Sequence, residues 1–216
     1  MPWWRDADYF ASRPWRGTWA GDGGGSLMNQ GIHFADLMIA VLGRPEKVAG
    51  FTGALGHDGI ETEDTAGAVI RFSGGAIATL LTSTAASPGS AGELRVHGTG
   101  GSAMMVDERL EFAGLAGALP AAGWPGSRDT GTGTGTREGT AARSAMPTGA
   151  NRALARQYAD VVDAVRSRRP PRVGLPEARA ALALVKAAYI ADVTAATVSF
   201  DAVLSGALDH LDPAGS

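Results

Sequence analysis

Residues 15–37 read WRGTWAGDGGGSLMNQGIHFADL, and this stretch decides the fold. The three consecutive glycines at positions 23–25 predict a tight turn, because glycine adopts backbone conformations that other residues avoid. The apolar spacing that follows predicts a helix over residues 26–42, with Ser26 as its N-cap and Gly43 at its end. The stretch is therefore a glycine-rich turn that leads into a helix.

One face of this predicted helix carries polar side chains. Asn29, His33 and Asp36 are spaced at i, i+4 and i+7, which places them on the same side. Histidine exchanges protons near neutral pH, and an asparagine amide both donates and accepts hydrogen bonds, as a polyhydroxylated ligand requires. The residue types leave two interpretations open, which are a proton-exchanging site and a structural hydrogen bond between His33 and Asp36.

The rest of the chain predicts an α+β fold. Alternating apolar residues predict strands over residues 47–55, 65–72, 76–84, 93–97, 102–107, 109–112 and 197–200. Helical spacing predicts helices over residues 153–168 and 176–196. We expect one domain over residues 1–216, in which helices pack on one face of a large, open, mostly antiparallel sheet. Residues 113–150, with their Gly/Thr repeat, are expected to form a flexible loop.

Composition excludes several classes of protein. The net charge is −3, whereas nucleic-acid binding requires a basic surface, so no nucleic-acid partner is expected. No long uncharged apolar run predicts a transmembrane helix, and no membrane partner is expected. The chain has no cysteine, which removes disulfides and thiolate metal sites and favours a cytoplasmic location. The uncovered face of the predicted sheet favours a homo-oligomer.

The stretch at 15–37 resembles the carboxy-terminal, dihydrodipicolinate-reductase-like domain of the Gfo/Idh/MocA oxidoreductases, the family of glucose–fructose oxidoreductase and inositol dehydrogenase. Shared elements are Trp-Arg-Gly-Thr-Trp, the triple-glycine turn, Met-Asn-Gln-Gly-Ile-His and Asp-Leu. The resemblance continues through most of the chain except residues 113–148. It includes Gly56-His57, Glu63-Asp64-Thr65-Ala66, Gly98-Thr99-Gly100-Gly101-Ser102, Arg169-Pro170-Pro171 and Ala187-Ala188-Tyr189.

The resemblance implies a dehydrogenase mechanism. An alcohol carbon of a sugar, sugar derivative or cyclitol gives a hydride to NAD or NADP, and His33 takes the hydroxyl proton. Asn29 replaces a family aspartate and is expected to bind a substrate hydroxyl. Asp36 and Trp15 are also expected to border the substrate site, with Asp36 orienting the helix or the imidazole. Arg16 either binds substrate or ties down the opening loop by stacking on tryptophan.

No glycine-rich segment of this sequence resembles the nucleotide-binding motif that the family requires. The glycines at 98–101 lie between predicted strands and those at 131–136 follow no strand, so neither matches a dinucleotide fingerprint. We expect a substrate-binding and oligomerisation half whose Rossmann domain is missing through truncation or is supplied by a separate nucleotide-binding chain. The alternative is a stand-alone, non-catalytic carbohydrate-binding or dimerisation module. The acidic cluster at 57–64 is interpreted as a solvated loop and not as a metal site.

Overall fold

The computed structural model describes residues 2–106, 109–113, 148–211 and 213. The helices are α1 Ala7–Ala11, α2 Trp19–Asp22, α3 Ile32–Leu42, α4 Thr148–Ser167, α5 Leu175–Thr194 and α6 Phe200–Leu204, with a π-helical turn at Leu27–Gly31 and a 3₁₀ turn at Asp209–Leu211. The strands are β1 Pro45–Gly53, β2 Thr65–Phe72, β3 Ile77–Ser83, β4 Glu93–Gly98, β5 Gly101–Val106, β6 Arg109–Ala113 and β7 Val198–Ser199.

The chain divides into two compact units, and residues 1–92 with 173–216 form the first. Its sheet has the order β3-β2-β1-β7, and every neighbouring pair is antiparallel. The predicted inner face of β2 is confirmed, because four alternate side chains are buried. They are Ala66, Ala68, Ile70 and Phe72.

Helix α5 packs against β1 of this sheet. Small residues allow a close approach, since a Cβ on Gly50 would lie 3.2 Å from the Ala188 carbonyl oxygen. Much of the buried side of α5 is alanine, namely Ala181, Ala183, Ala187, Ala188 and Ala191. The alanine-rich composition of this helix therefore serves helix–sheet packing.

The outer face of the same sheet is apolar and exposed. Phe51 is 78% exposed, Ile77 68% and Val69 50%. At one end of this face, Lys47 and Arg71 lie directly opposite each other in the register of β1 and β2. Among the described residues, these side chains of the outer face are therefore exposed, with two cations at one end of the face.

Residues 93–172 form the second unit. Its antiparallel sheet has the order β4-β5-β6, and Gly98 pairs with Gly101 across the first connection. This confirms that the glycines at 98–101 form a hairpin. In the same unit, Arg169 donates hydrogen bonds to Asp160 and Asp163 of α4, at 2.7 Å each.

The α+β class and the antiparallel pairing are confirmed, with one difference. The strands of the described residues form two sheets and not one, and residues 84–92 connect β3 to β4 along the chain. Most of the predicted loop at 113–150 lies outside the described residues, and α4 already begins at Thr148. The expectation of a single domain over residues 1–216 stays a prediction. None of the described helices is long and apolar enough to span a membrane.

Candidate functional site

The helix predicted over residues 26–42 begins with a π-helical turn at Leu27–Gly31 and continues as α3 to Leu42. Single π-helical turns occur frequently at functional sites. Gly43 ends the helix with a left-handed backbone (φ 87°) and donates to the Ile39 carbonyl oxygen, as predicted. Ser26 occupies the predicted N-cap position, but its side chain does not cap the helix, because its buried hydroxyl lies 3.0 Å from the hydroxyl of Thr82.

Glu63, and not the Ser26 side chain, caps the start of the helix. Its carboxylate accepts hydrogen bonds from the backbone N–H groups of Gly25 and Leu27, both at 2.8 Å. Its backbone carbonyl accepts a third, from the N–H of Ser26 at 3.1 Å. These bonds satisfy donors that the start of a helix otherwise leaves unpaired.

A buried tyrosine completes this arrangement. The Tyr189 hydroxyl donates to the Glu63 carboxylate at 3.0 Å, and the Tyr189 ring meets the Trp19 ring edge-on, with centroids 5.3 Å apart. Burial raises the pKa of Glu63 above its ordinary range, although its three hydrogen-bond donors oppose the shift. Burial, followed by the nearby Glu63 charge, also raises the pKa of Tyr189, so its hydroxyl stays protonated.

Glycine is required in the turn itself. A Cβ on Gly25 would overlap the carbonyl oxygen of Glu63, and one on Gly24 would overlap the hydroxyl of Tyr189. Gly31 is also in close contact with its surroundings in the protein. A Cβ there would lie 2.8 Å from the Thr82 side-chain methyl carbon and 3.0 Å from Leu27.

The polar residues predicted on the helix lie at or near the protein surface. His33 and Asn29 are exposed, and Asp36 is half-buried. The Asn29 amide nitrogen donates to the carbonyl oxygens of Gly24 at 3.1 Å and Gly25 at 3.3 Å, which ties this side chain to the turn. Among the described residues, His33 and Asp36 form no hydrogen bond with each other, and the role of His33 stays a prediction.

Arg16 is used within the opening segment. Its guanidinium donates to the Tyr9 carbonyl oxygen at 2.9 Å and lies over the Tyr9 ring at 4.0 Å from the ring centre. It also lies 5.4 Å from the ring of Trp15, which is 45% exposed. These contacts fit the loop-tethering alternative for Arg16, and substrate binding by Arg16 and Trp15 stays a prediction.

The loop at 57–64 is only in part the solvated loop that was expected. Asp58, Gly59 and Glu61 are exposed, whereas residues 62–64 are buried and Asp64 is fully buried. The Asp64 carboxylate accepts hydrogen bonds from the backbone N–H groups of Leu55, Gly56 and His57 at 2.7–3.0 Å. Burial alone would raise the pKa of Asp64, but these and two side-chain donors, Thr65 and His57, together lower it. The described residues include no group of three or more acidic, histidine or cysteine side chains that could bind a metal ion.

Sequence reasoning missed Glu63 and Tyr189 as parts of this region. They are 126 residues apart, and Glu63 is 36 residues from Leu27. No local pattern reports such contacts. The only signal was that both occurred in segments that resembled the family.

The arrangement has a hydrogen-bonded inner side and an exposed outer side. The turn is fixed by Glu63 from within, and the exposed His33 imidazole can accept a proton from a ligand hydroxyl. The Asn29 amide nitrogen is occupied, which leaves the Asn29 oxygen to accept a hydrogen bond.

Comparison with known proteins finds a match to one family model. Residues 1–104 match the family model of the GFO/IDH/MocA C-terminal domain. The match to this GFO/IDH/MocA domain includes the whole stretch at 15–37 and the strands β1 to β4. No curated protein sequence matches the chain.

Solved structures share the fold of the GFO/IDH/MocA domain. The WlbA dehydrogenase of Bordetella pertussis, in complex with NADH and UDP-GlcNAcA, is 23% identical with a TM-score of 0.68, and the match covers 91% of this chain and 51% of the other. An oxidoreductase of Agrobacterium radiobacter, with NAD+, L-tartaric acid and magnesium, is 20% identical with a TM-score of 0.68, covering 94% and 58%. A levoglucosan dehydrogenase with NADH and L-sorbose is 19% identical with a TM-score of 0.64, covering 82% and 50%. The chain therefore spans between half and three-fifths of each of these structures.

Proposed function

We propose that this chain forms the substrate-binding and oligomerisation half of an NAD(P)-dependent oxidoreductase that acts on a hydroxyl group of a sugar, sugar derivative or cyclitol. The carrying observation is that His33 is exposed at the start of α3, directly after the π-helical turn whose beginning is fixed by Glu63. The GFO/IDH/MocA match and the NADH, NAD+ and sugar ligands of the solved relatives support this function.

The proposed chemistry of this chain is proton transfer and substrate orientation. His33 accepts the proton of the substrate hydroxyl as the carbon is oxidised. Asn29 accepts a hydrogen bond from a neighbouring hydroxyl, while Asp36 and Trp15 border the substrate. Asn29 cannot itself take the proton, because an amide is not a base near neutral pH.

Oxidation of an alcohol carbon also requires a hydride acceptor, which a nicotinamide supplies in enzymes of this type. The described residues do not fit the dinucleotide itself. Their glycines at 98–101 close a β-hairpin, and those at 23–25 follow α2 and not a strand. We therefore place the nucleotide-binding part of the enzyme outside the described residues.

The test combines residues 1–216 with a nucleotide-binding domain, encoded by adjacent sequence or by a separate gene, and follows reduction of NAD+ or NADP+ with a panel of polyols. We expect reduction with at least one polyol and its loss in His33→Ala. The matched control is His97→Ala, which removes an exposed histidine of β4. Full activity in His33→Ala, or inactivity on every polyol, would refute this function.

Calorimetry separates the alternative of a stand-alone binding module. A module of that kind would bind a sugar at micromolar concentration without nicotinamide. The proposed enzyme half would show such binding only weakly, because in this proposal the nucleotide-binding half contributes part of the substrate site.

We also propose that the outer face of the four-stranded sheet forms a homo-oligomer interface. An exposed apolar patch of this kind, with Phe51 and Val69 near its middle, is typical of an interaction surface. Phe51→Glu should convert the oligomer to a monomer in light scattering. Val193→Glu is the control, since it places the same charge on α5, which packs on the opposite face of the sheet. A wild-type monomer would refute this interface.

A further inference from the structure

A cavity of about 20 Å³ lies beneath the π-helical turn. Residues of α1, of the glycine turn and of the loop before β2 line it, and they include Gln30 and Thr62. Gln30 belongs to the π-helical turn, and Thr62 directly precedes Glu63. The cavity therefore lies between the turn and the segment that fixes it.

Two polar atoms at this cavity lack a partner. Gln30 is 8% exposed and Thr62 1% exposed. Among the described residues, neither the Gln30 Oε1 atom nor the Thr62 Oγ1 atom has a hydrogen-bond partner. Buried polar atoms without partners are rare in folded proteins, because leaving them unsatisfied is costly.

The neighbouring polar groups are already engaged. The Ser26 hydroxyl is paired with Thr82 at 3.0 Å. The Glu63 carboxylate is bound by two backbone N–H groups and by Tyr189. Among the described residues that line the cavity, the buried side-chain atoms without a partner are therefore Gln30 Oε1 and Thr62 Oγ1.

We propose that this cavity is a binding site for one ordered water molecule that bridges the side chains of Gln30 and Thr62. A buried water needs roughly 10–15 Å³ and at least two polar partners, and the cavity offers both. A water can donate to the Gln30 oxygen and exchange a hydrogen bond with the Thr62 hydroxyl. The volume is too small for a sugar or a nucleotide.

The water connects the turn to the loop before β2. Gln30 is adjacent to Asn29, so a bridge at Gln30 fixes the segment that carries the exposed polar residues. This bridge supplements the hydrogen bonds of Glu63 at the start of the same turn. The inference rests on burial and volume, and it holds whether or not the proposed enzymatic function is correct.

A crystal structure of the chain at high resolution tests the proposal directly. We expect a spherical density peak within hydrogen-bond distance of both Gln30 Oε1 and Thr62 Oγ1. An empty cavity, or a direct hydrogen bond between the two side chains, would overturn it.

Thermal unfolding gives a second test that does not depend on crystals. Thr62→Val keeps the side-chain volume and removes one partner of the water, so Tm should fall by about 2–4 °C. Thr62→Ser is the control, because it keeps the hydroxyl that Thr62→Val removes. Gln30→Leu should also lower Tm. The double variant Thr62→Val/Gln30→Leu should show a decrease in Tm that is smaller than the sum of the two single decreases, because both partners of the water are then apolar. A neutral Thr62→Val or strictly additive losses would contradict a bridging water.

Discussion

Residues 23–33 comprise the glycine turn, the π-helical turn and the start of α3, and are called the turn below. The inner and outer sides of this turn differ in how the protein uses their polar groups. On the inner side, Glu63 and Tyr189 are buried and every oxygen of the pair is hydrogen-bonded. On the outer side, His33 is exposed and has no hydrogen-bond partner among the described residues. The inner side supports the fold, whereas the proposed chemistry lies at His33. Changes on the inner side should lower the stability of the protein, whereas changes at His33 should spare it.

Gly25→Ala should have the largest effect, because its Cβ would overlap the backbone of Glu63 and no side-chain rotation relieves the overlap. We expect a loss of about 4 kcal/mol or more in the free energy of unfolding, or no folded protein. Urea denaturation followed by circular dichroism measures it. Gly74→Ala is the matched control, since nothing lies within 4 Å of its added Cβ. Equal stability of the two variants would mean that the turn is not fixed from within.

Glu63→Gln should destabilise the protein by about 2 kcal/mol at neutral pH. An amide has one oxygen where the carboxylate has two, so the N–H of Gly25 or of Leu27 loses its acceptor. Tyr189→Phe should cost less, about 1 kcal/mol, since only its hydroxyl is removed. Denaturant unfolding of both variants checks this order, and the reverse order would assign the turn to Tyr189 and not to Glu63.

The pH dependence of stability distinguishes Glu63 from its neighbour Asp64. Because the pKa of Glu63 is raised in the folded protein, its contribution to the free energy of unfolding is complete below its ordinary pKa of 4.5. This contribution is lost as pH rises through the raised pKa. The lowered pKa of Asp64 means that its contribution is complete above 3.8 and is lost as pH falls through the lowered value.

Unfolding free energies measured across the acidic range test these opposite signs. In the wild type, Glu63 makes stability decline as pH rises above 4.5, and Glu63→Gln should remove this decline. Asp64 makes stability decline as pH falls below 3.8, and Asp64→Asn should remove that decline. Parallel pH curves for wild type and Glu63→Gln would show that Glu63 has the same pKa in the folded and unfolded protein.

His33→Ala should have the smallest effect on stability, within about 0.5 kcal/mol, as is usual for exposed positions without partners. The same denaturation experiment measures it. A loss similar to that of Glu63→Gln would mean that His33 supports the fold, and the contrast between the two sides of the turn would disappear.

The sequence by itself determined the features that depend on neighbouring residues. Alternation placed Ala66, Ile70 and Phe72 on the buried face of β2, and a glycine ended α3 at Gly43. The same local signals predicted the hairpin at 98–101 and the α+β class. These features follow from the periods of strands and helices, which any short window of sequence contains.

Only the tertiary structure decided how the turn is fixed. Ser26 has the residue type of an N-cap, but Thr82 takes its hydroxyl, and Glu63 supplies the acceptors from a distant loop. Tyr189 reaches the same carboxylate from a helix 126 residues away. The sequence could not reveal these contacts, because they arise when α5 packs against the sheet and burial then forces each polar group to find a partner.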